Sequence, residues 1–348
     1  MPELAAALPR LKRLLPKFRK LRLGVLGDLM LDRFVLGEAN RLSPEVAVPV
    51  VDYVSQQDFA GGAGNVAANL RALGANVEAF GVIGSAKSGH PGQTLKLNSD
   101  EAGDVLRLLL RKNHIGEHGV LADPDRITTL KTRIIARHHQ IVRIDHERRD
   151  PLSPKTEEKL FRLVVAALKN LDALVLSDYD KGLFTDSLAD RVLNAAHKAH
   201  IPVFVKPKTS RLLVYRGARV IVCNAKEAGH YVNRHLSDEK SAEEAGSALL
   251  PHFGCAAVVI TRGEKGMSIF EESTPRHLHI PATSRPVFDV TGAGDTVLSV
   301  ISLAIAAGAS LPEAALLANT AAGVVVGKRG TTTVSPEELA AALDDIQG

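Results

Sequence analysis

Residues 173–205 read ALVLSDYDKGLFTDSLADRVLNAAHKAHIPVFV. The apolar run Ala173–Leu176 predicts a buried strand, Ser187–Ala199 a helix and Val203–Val205 a second strand, which together make one βαβ unit. The rhythm continues on both sides. Upstream, LRLGVL at Leu21–Leu26 predicts a first strand ending in Gly27-Asp28, followed by a helix over Ala63–Leu73 closed by Gly74, a strand over Val77–Ile83 and a helix over Glu157–Lys169. Downstream come a strand over Val220–Cys223 that opens onto Asn224, a helix over Ala242–Leu250, a strand over Ala256–Ile260, short strands near Met267–Phe270 and His277–Ile280, and a helical last third. Strands alternating with helices at this spacing require a mostly parallel sheet covered on both faces, and no internal repeat interrupts them.

Two stretches depart from the rhythm. Residues 33–60 contain short alternating pieces such as VAVPVVDYV beside prolines, and 126–146 (with TTLKTRIIARHHQIVRID) has strand character too, so both suggest a small lid of exposed antiparallel strands. Ser85–Ser99 (SAKSGHPGQTLKLNS) is polar and aperiodic and reads as a long mobile surface loop.

At 348 residues, 45% hydrophobic and 24% charged, the chain is long enough for one large domain with an appendage. A net charge of +4, from 43 basic and 39 acidic residues dispersed along the chain, suits an anionic small substrate and argues against a nucleic-acid partner. Cys223 and Cys255 lie in apolar runs, which argues against a disulfide framework and against a metal cluster. Residues 1–20 carry Leu8, Leu11, Leu15 and Phe18 at helical spacing among basic residues; this reads as a short docking helix, with contact to a membrane surface as the alternative. The most apolar run, Val297–Ala309, is shorter than the roughly 20 residues of a membrane span, so a cytoplasmic protein without membrane insertion is expected.

In DVTGAGDTVLSVISLA (289–304) a strand enters a glycine turn and an apolar helix begins at once. Backbone N–H groups of Gly292, Ala293 and Gly294 can then converge beside a helix N-terminus as an anion hole, with the Asp295 carboxylate pointing into the same space. A proton acceptor beside a phosphate cradle is what phosphoryl transfer to an alcohol needs. Asp295 as a plain helix cap after a flexible turn is the competing reading of this segment alone.

The paired glycines of FAGGAGNVAANLRALG, the segment NAKEAGHY and DVTGAGDT, in family order within a match from about residue 20 to 340, resemble the signatures of the ribokinase-like PfkB sugar kinases. LGVLGDLMLDRF, RLSPEVAVPVV, KTRIIARHHQIVRID, SDYDKG and KRGTTTVSPEEL narrow the likeness to the kinase domain of bifunctional heptose enzymes, which phosphorylate D-glycero-β-D-manno-heptose 7-phosphate at the anomeric oxygen. The resemblance implies a three-layer α/β fold with a mostly parallel central sheet and a β-strand lid, residues 21–348 forming the kinase domain behind the basic helix of 1–20. It makes Asp295 the base and Gly292–Gly294 the anion hole. Asn224, Ala225, Lys226 and Glu227 would run along the ATP phosphates, with Glu227 organising Mg2+ through water; Thr261, Arg262, Gly263 and Thr291 would lie beside the nucleotide, and Asn319 beside the adenine. A monovalent cation, K+, near Asp289 and Thr291 is a further implication. The sugar would meet Asp28, Asp32, Gly61, Gly62 and Asn65, and its own phosphate Arg133, Arg137, Lys181 or Lys208, each of which reads equally well as a solvated surface charge. The histidines, His138-His139 included, read as surface residues. A homodimer through the lid is implied as well.

Three departures bear on the substrate. Lys206-Pro207-Lys208 stands where the heptose kinases carry Asp-Pro-Lys, Asp180 stands where a small residue is usual, and the Ser85–Ser99 loop is longer than its counterpart. The sequence ends at Gly348, so a kinase without the nucleotidyltransferase half is expected. The alternatives are a kinase for another sugar or sugar phosphate and a non-catalytic sensor that keeps the fold.

Overall fold

Alternation along the strands sorts the apolar residues into two cores. In the computed structural model, which describes residues 2–85, 99–137, 139–208, 215–283, 287–328, 330 and 332–345, the chain runs α1 (Pro2–Leu14), β1 (Arg22–Gly27), β2 (Leu29–Leu42), β3 (Pro49–Gly62), α2 (Ala63–Ala72), β4 (Asn76–Gly84), α3 (Glu101–Lys112), β5 (Gly116–Asp123), β6 (Thr129–Ala136), β7 (His139–His146) and α4 (Pro154–Leu168). It continues through β8 (Ala173–Ser177), α5 (Asp186–Lys198), β9 (Val203–Lys206), β10 (Val220–Asn224), α6 (Ala225–Tyr231), α7 (Glu239–Phe253), β11 (Ala257–Thr261), β12 (Met267–Glu271), β13 (Thr274–Ile280), α8 (Ala293–Ala306), α9 (Leu311–Val326) and α10 (Pro336–Asp344). Ala173 and Val175 of β8 pack with α1, α2, α3, α8, α9 and α10, whereas Leu174 and Leu176 pack with α4, α5, α6 and α7. Val220 and Val222 of β10, and Ala257 and Val259 of β11, face the first core; Ile221, Cys223, Val258 and Ile260 face the second. Each such side chain contributes about 1.5–3 kcal/mol when fully buried, so the period-2 pattern fixes both layers at once.

The nine strands of the main sheet are ordered β13-β12-β11-β10-β9-β8-β1-β4-β5. All neighbours from β11 to β5 pair in parallel, and β12 and β13 add an antiparallel edge. This is the ribokinase-like α/β architecture, helices on both faces of a mostly parallel sheet. Leu8, Leu11, Leu14, Leu15 and Phe18 are buried in the first core, and Arg10 pairs with Glu313, so the N-terminal helix docks on the protein with its apolar face. Among the described residues, no helix is long and apolar enough to cross a membrane.

The lid is a second sheet, ordered β3-β2-β6-β7. The expectation of antiparallel strands needs correcting at its centre, because β2 and β6 pair in parallel. The reason is topological: β4, α3 and β5 intervene between them, and that excursion returns the chain in the same direction, as a hairpin cannot. The lid is also less exposed than expected at its root, where Leu31, Asp32, Phe34 and Ala60 are buried. The spans over Glu101–Lys112 and Gly116–Asp123 carried no assignment from sequence; α3 is capped by Asp100, which accepts from Gly103 N at 2.8 Å. Of the Ser85–Ser99 loop, residues 86–98 lie outside the described residues, as does His138; the loop's ends, Ser85 and Ser99, form an antiparallel bridge.

Candidate active site

Counted outward from the middle of the sheet, β8, β9, β10 and β11 follow one another to one side, and β1, β4 and β5 to the other. The order therefore reverses between β1 and β8, and open parallel sheets leave a crevice for ligands at the carboxyl ends of the strands there. Asp28 follows β1, Tyr179 follows β8, and Lys206 is the last residue of β9. The N-terminus of α8 faces the same edge.

Gly292 makes the turn into α8 in the left-handed region (φ 84°), which favours glycine, and its carbonyl accepts from Asp295 N at 2.9 Å and Thr296 N at 3.0 Å. That brings Asp295 into the first helical turn with its carboxylate on the crevice. Three donors converge on it. The Lys206 ammonium donates to Oδ1 at 2.7 Å, the Tyr179 hydroxyl to the same oxygen at 2.6 Å, and Asn65 Nδ2 to Oδ2 at 2.9 Å. Asn65 is itself fixed by Asn69, whose Nδ2 donates to Asn65 O at 2.9 Å while its Oδ1 accepts from Thr296. Burial alone would pull the Lys206 ammonium down, but the Asp295 carboxylate and Tyr179 outweigh it and hold Lys206 above the ordinary lysine range. Burial and the Asp295 charge push the Tyr179 phenol up, so it serves as a donor.

Asp28 lies beside this cluster and is held by backbone amides: its Oδ2 accepts from Tyr179 N at 2.8 Å and Lys181 N at 3.2 Å. Burial and the nearby Asp178 carboxylate raise its carboxyl to about 6 in spite of those donors. Gly62 turns from β3 into α2 at φ 57°, and a Cβ there would sit 2.4 Å from the Asp28 carbonyl. Asp32, on β2, is buried and accepts from Arg133 at 2.5 Å.

Residues 25–338 match the model of the pfkB family carbohydrate kinases. The chain belongs to that family. It is 44% identical over 319 residues to the bifunctional protein HldE of Geobacter sulfurreducens, covering 92% of this chain and 62% of that one. The HldE of Geotalea uraniireducens is 42% identical over 333 residues, 96% of this chain and 65% of its own length, so the chain spans less than two thirds of each relative. Two solved structures share the fold: phosphofructokinase-2 of Escherichia coli in complex with substrates and products (TM-score 0.74, 17% identity, 94% of this chain and 99% of that one) and Arabidopsis thaliana ribokinase with ribose and ATP (0.68, 19%, 93% and 98%). The protein is therefore a carbohydrate kinase, a phosphotransferase with an alcohol acceptor, and its family uses ATP and Mg2+.

Along the edge from the kinase's Asp295, Asn224 caps α6: its Oδ1 accepts from Glu227 N at 2.8 Å, and Glu227 Oε2 accepts from Asn224 N at 2.9 Å, a reciprocal capping box. Glu227 is buried, with Lys208 Nζ 3.5 Å from its other oxygen, and the pair opens onto a cleft of about 920 Å³ that Ala225 and Lys226 also line. Among the described residues no group of three or more His, Cys, Asp or Glu side chains could hold a metal. A single carboxylate beside a cleft nevertheless fits Mg2+, which takes most of its ligands from nucleotide phosphates and water. Thr261 ends β11, and Arg262 N donates to Gly266 O at 2.7 Å across the turn containing Gly263, whose φ is 60°. Asp289 is held by two amides, Thr291 N at 2.9 Å and Gly330 N at 3.2 Å, and Asn319 on α9 donates to Pro281 O at 2.8 Å.

The structure brings most of the sequence candidates to this edge, but with different partners from those expected. Asn65, read as a sugar contact, touches the Asp295 carboxylate. Lys181 is buried and pairs with Glu147 at 2.7 Å, which, with Lys131 and Arg149, overcomes burial and draws that carboxyl down to about 2. Arg137 is not brought to the crevice: it sits exposed at the β6–β7 turn, 3.6 Å from Glu38. Tyr179 was missed altogether, although SDYDKG directly after an apolar strand put a phenol at a carboxyl end, and Lys206 had been noticed only as a departure.

Proposed function

We propose that this chain transfers the γ-phosphoryl group of MgATP to O1 of D-glycero-β-D-manno-heptose 7-phosphate, giving the 1,7-bisphosphate. The observation that carries it is the 44% identity to an HldE protein across 92% of this chain, together with an aspartate at the head of α8 held by three side-chain donors. The anomeric oxygen would form its bond to the γ-phosphorus as the bond to the β–γ bridging oxygen breaks. ADP leaves with that electron pair, and the hydroxyl proton passes to Asp295. Amides of Gly292, Ala293 and Gly294 would face the transferring group, Asn224 to Glu227, Thr261 to Gly263 and Thr291 the nucleotide phosphates, and Asn319 the base. Asp28, Asp32, Gly61 and Gly62 would receive the sugar hydroxyls, and Arg133, Lys181 or Lys208 the 7-phosphate, each being paired to a carboxylate that a phosphate can replace. Arg137 has no part in this scheme unless the lid moves.

Incubation of the purified chain with MgATP and the heptose 7-phosphate, followed by 31P NMR, tests the assignment directly. Expected is a new anomeric phosphate signal with stoichiometric ADP; ADP released only with another sugar phosphate would sink it and favour the second reading, a kinase for a different acceptor, which Lys206 at the crevice motivates. Absence of ADP release with every acceptor of a broad panel would favour the sensor. Association of two copies through the lid belongs to the same proposal, supported by the exposed Tyr53, Val54 and Ile144 on its strands, and sedimentation showing monomers at micromolar concentration would remove it. Stimulation of turnover by KCl over NaCl would support a cation beside Asp289 and Thr291.

A further inference from the structure

Asp295 is occupied before any substrate arrives. Both of its oxygens already accept side-chain hydrogen bonds, which fill three of the roughly four acceptor positions of a carboxylate, so an acceptor hydroxyl shares Asp295 with these donors, and their hold weakens once the carboxylate is protonated. Two of the three are fixed. Asn65 is clamped by Asn69, and Tyr179 belongs to a turn whose backbone amide is tied to Asp28. Lys206 alone has a flexible four-carbon stem, and its side chain is 17% exposed against 4% for Asp295.

Its stem also crosses the glycine turn. A Cβ added to Gly294 would lie 3.4 Å from Lys206 Cε and 3.6 Å from Nζ, so the ammonium sits within van der Waals reach of the turn proposed to receive the phosphoryl group. On the other side Nζ stands 3.0 Å from the Tyr179 hydroxyl and 4.7 Å from the centre of its ring. A short swing from Asp295 therefore carries a full positive charge onto the place where phosphoryl charge develops.

The charge balance favours that swing at one moment of the reaction. When Asp295 takes the hydroxyl proton it becomes neutral and releases its hold on the ammonium. At the same moment, the bond to the β–γ bridging oxygen breaks and negative charge grows on the phosphoryl oxygens and on ADP. We propose that Lys206 is a catalytic residue of this kinase: it caps the base in the empty enzyme and passes onto the transferring phosphoryl group as the base is protonated. The step needs no reactant beyond ATP and an alcohol. It rests on the kinase reading of the site and not on the identity of the sugar.

Three variants and two readouts test it. Lys206→Met removes charge and donor, Lys206→Gln keeps an N–H for Asp295 without charge, and Lys206→Arg keeps the charge. Melting curves and binding of MgADP alone establish that each variant folds. In steady state with the sugar that the wild type uses, kcat of the Met and Gln variants should fall about 100- to 1000-fold, the loss typical of one removed transition-state donor, with both KM values within about threefold, and Arg should recover at least a tenth of the wild-type rate. Independently of any acceptor, tetrafluoroaluminate, a mimic of the transferring group, should tighten binding of MgADP to the wild type and not to Met or Gln. A Gln variant as active as the wild type would reduce Lys206 to a positioning contact for Asp295 and overturn the proposal. So would a loss confined to the acceptor KM, or tetrafluoroaluminate binding unchanged in both uncharged variants. Failure of the heptose assignment alone would show instead in the wild type, as turnover of a different sugar with the same pattern among the variants.

Discussion

Asp295→Asn is the change whose consequences can be worked out furthest. The carboxylate accepts on both oxygens: Lys206 and Tyr179 on Oδ1 and Asn65 on Oδ2. An asparagine accepts on one only. With its carbonyl oxygen toward Lys206 and Tyr179, its amide must face the Asn65 amide, two donors against each other; turning Asn65 over instead removes the Nδ2 contact and the acceptor that Asn69 Nδ2 meets at 3.2 Å. The ammonium also loses its counter-charge in a pocket where little water replaces it. A broken buried hydrogen bond and an unpaired, partly exposed charge together cost about 2–4 kcal/mol of stability. Loss of the general base slows turnover by about 10²- to 10⁴-fold, or roughly 3–5 kcal/mol in the barrier. Urea unfolding at pH 7 measures the first figure, and ADP release coupled to NADH oxidation the second, with binding of a non-hydrolysable ATP analogue expected to stay within a few-fold of the wild type. Turnover within tenfold of the wild type in a folded variant would refute the assignment of the base.

Other perturbations test other parts of the site. Asp28, whose carboxyl is raised to about 6 by burial and by Asp178, with Arg126 and Lys181 nearby, binds its proton more tightly folded than unfolded; its contribution to stability is full below about pH 4 and is lost as pH rises through 6. Asp28→Asn should therefore flatten the fall in stability between pH 4 and 7 by roughly 3 kcal/mol, read as the difference between two urea series, and parallel curves would count against it. Glu147 is the opposite case, a carboxyl drawn down to about 2, whose contribution is present above the usual carboxylate range and lost as pH falls; Glu147→Gln should lower stability at pH 7 by about 1–3 kcal/mol and much less at pH 2.5. Gly62→Ala puts a Cβ against the Asp28 carbonyl at a left-handed φ, which should cost about 1–3 kcal/mol and raise the acceptor KM more than that for ATP; an unchanged melting temperature would show that the turn relaxes.

Most of the fold was legible because the strands obey one rule. Ala173 to Leu176, Val220 to Cys223 and Ala257 to Ile260 are uninterrupted apolar runs, and only a strand covered on both faces tolerates that. The lid was harder to read. Its strands alternate, which signals an exposed sheet, but nothing local in Leu29–Leu42 or Thr129–Ala136 encodes that the two run parallel, since that depends on how much chain separates them. At the site, the glycine turn and Asp295 announce themselves through φ and helix start. Lys206 and Tyr179 do not, because each is a single polar residue at the end of a strand and becomes meaningful only when β8, β9 and α8 converge.

The same convergence explains how the cations gathered at this crevice leave the fold stable. Four of its cations are already paired: Lys206 with Asp295, Lys208 with Glu227, Lys181 with Glu147, and Arg133 with Asp32. Gathering like charges at one sheet edge without partners would destabilise the fold, and the carboxylates prevent that at the expense of competing with the substrate. Under the proposed function each pair is an exchange site, and the carboxylates differ in what release frees them to do. Glu147 is held by three cations and keeps two when Lys181 leaves, so that exchange changes little else. Among the described residues Asp295 has no second cation among its hydrogen-bond partners, so in the proposed step Lys206 leaves as Asp295 becomes neutral and only neutral donors remain on it. On the proposal made for Lys206, protonation of Asp295 is coupled to the growth of negative charge on the phosphoryl group, through a residue whose charge is opposite to that expected at this position.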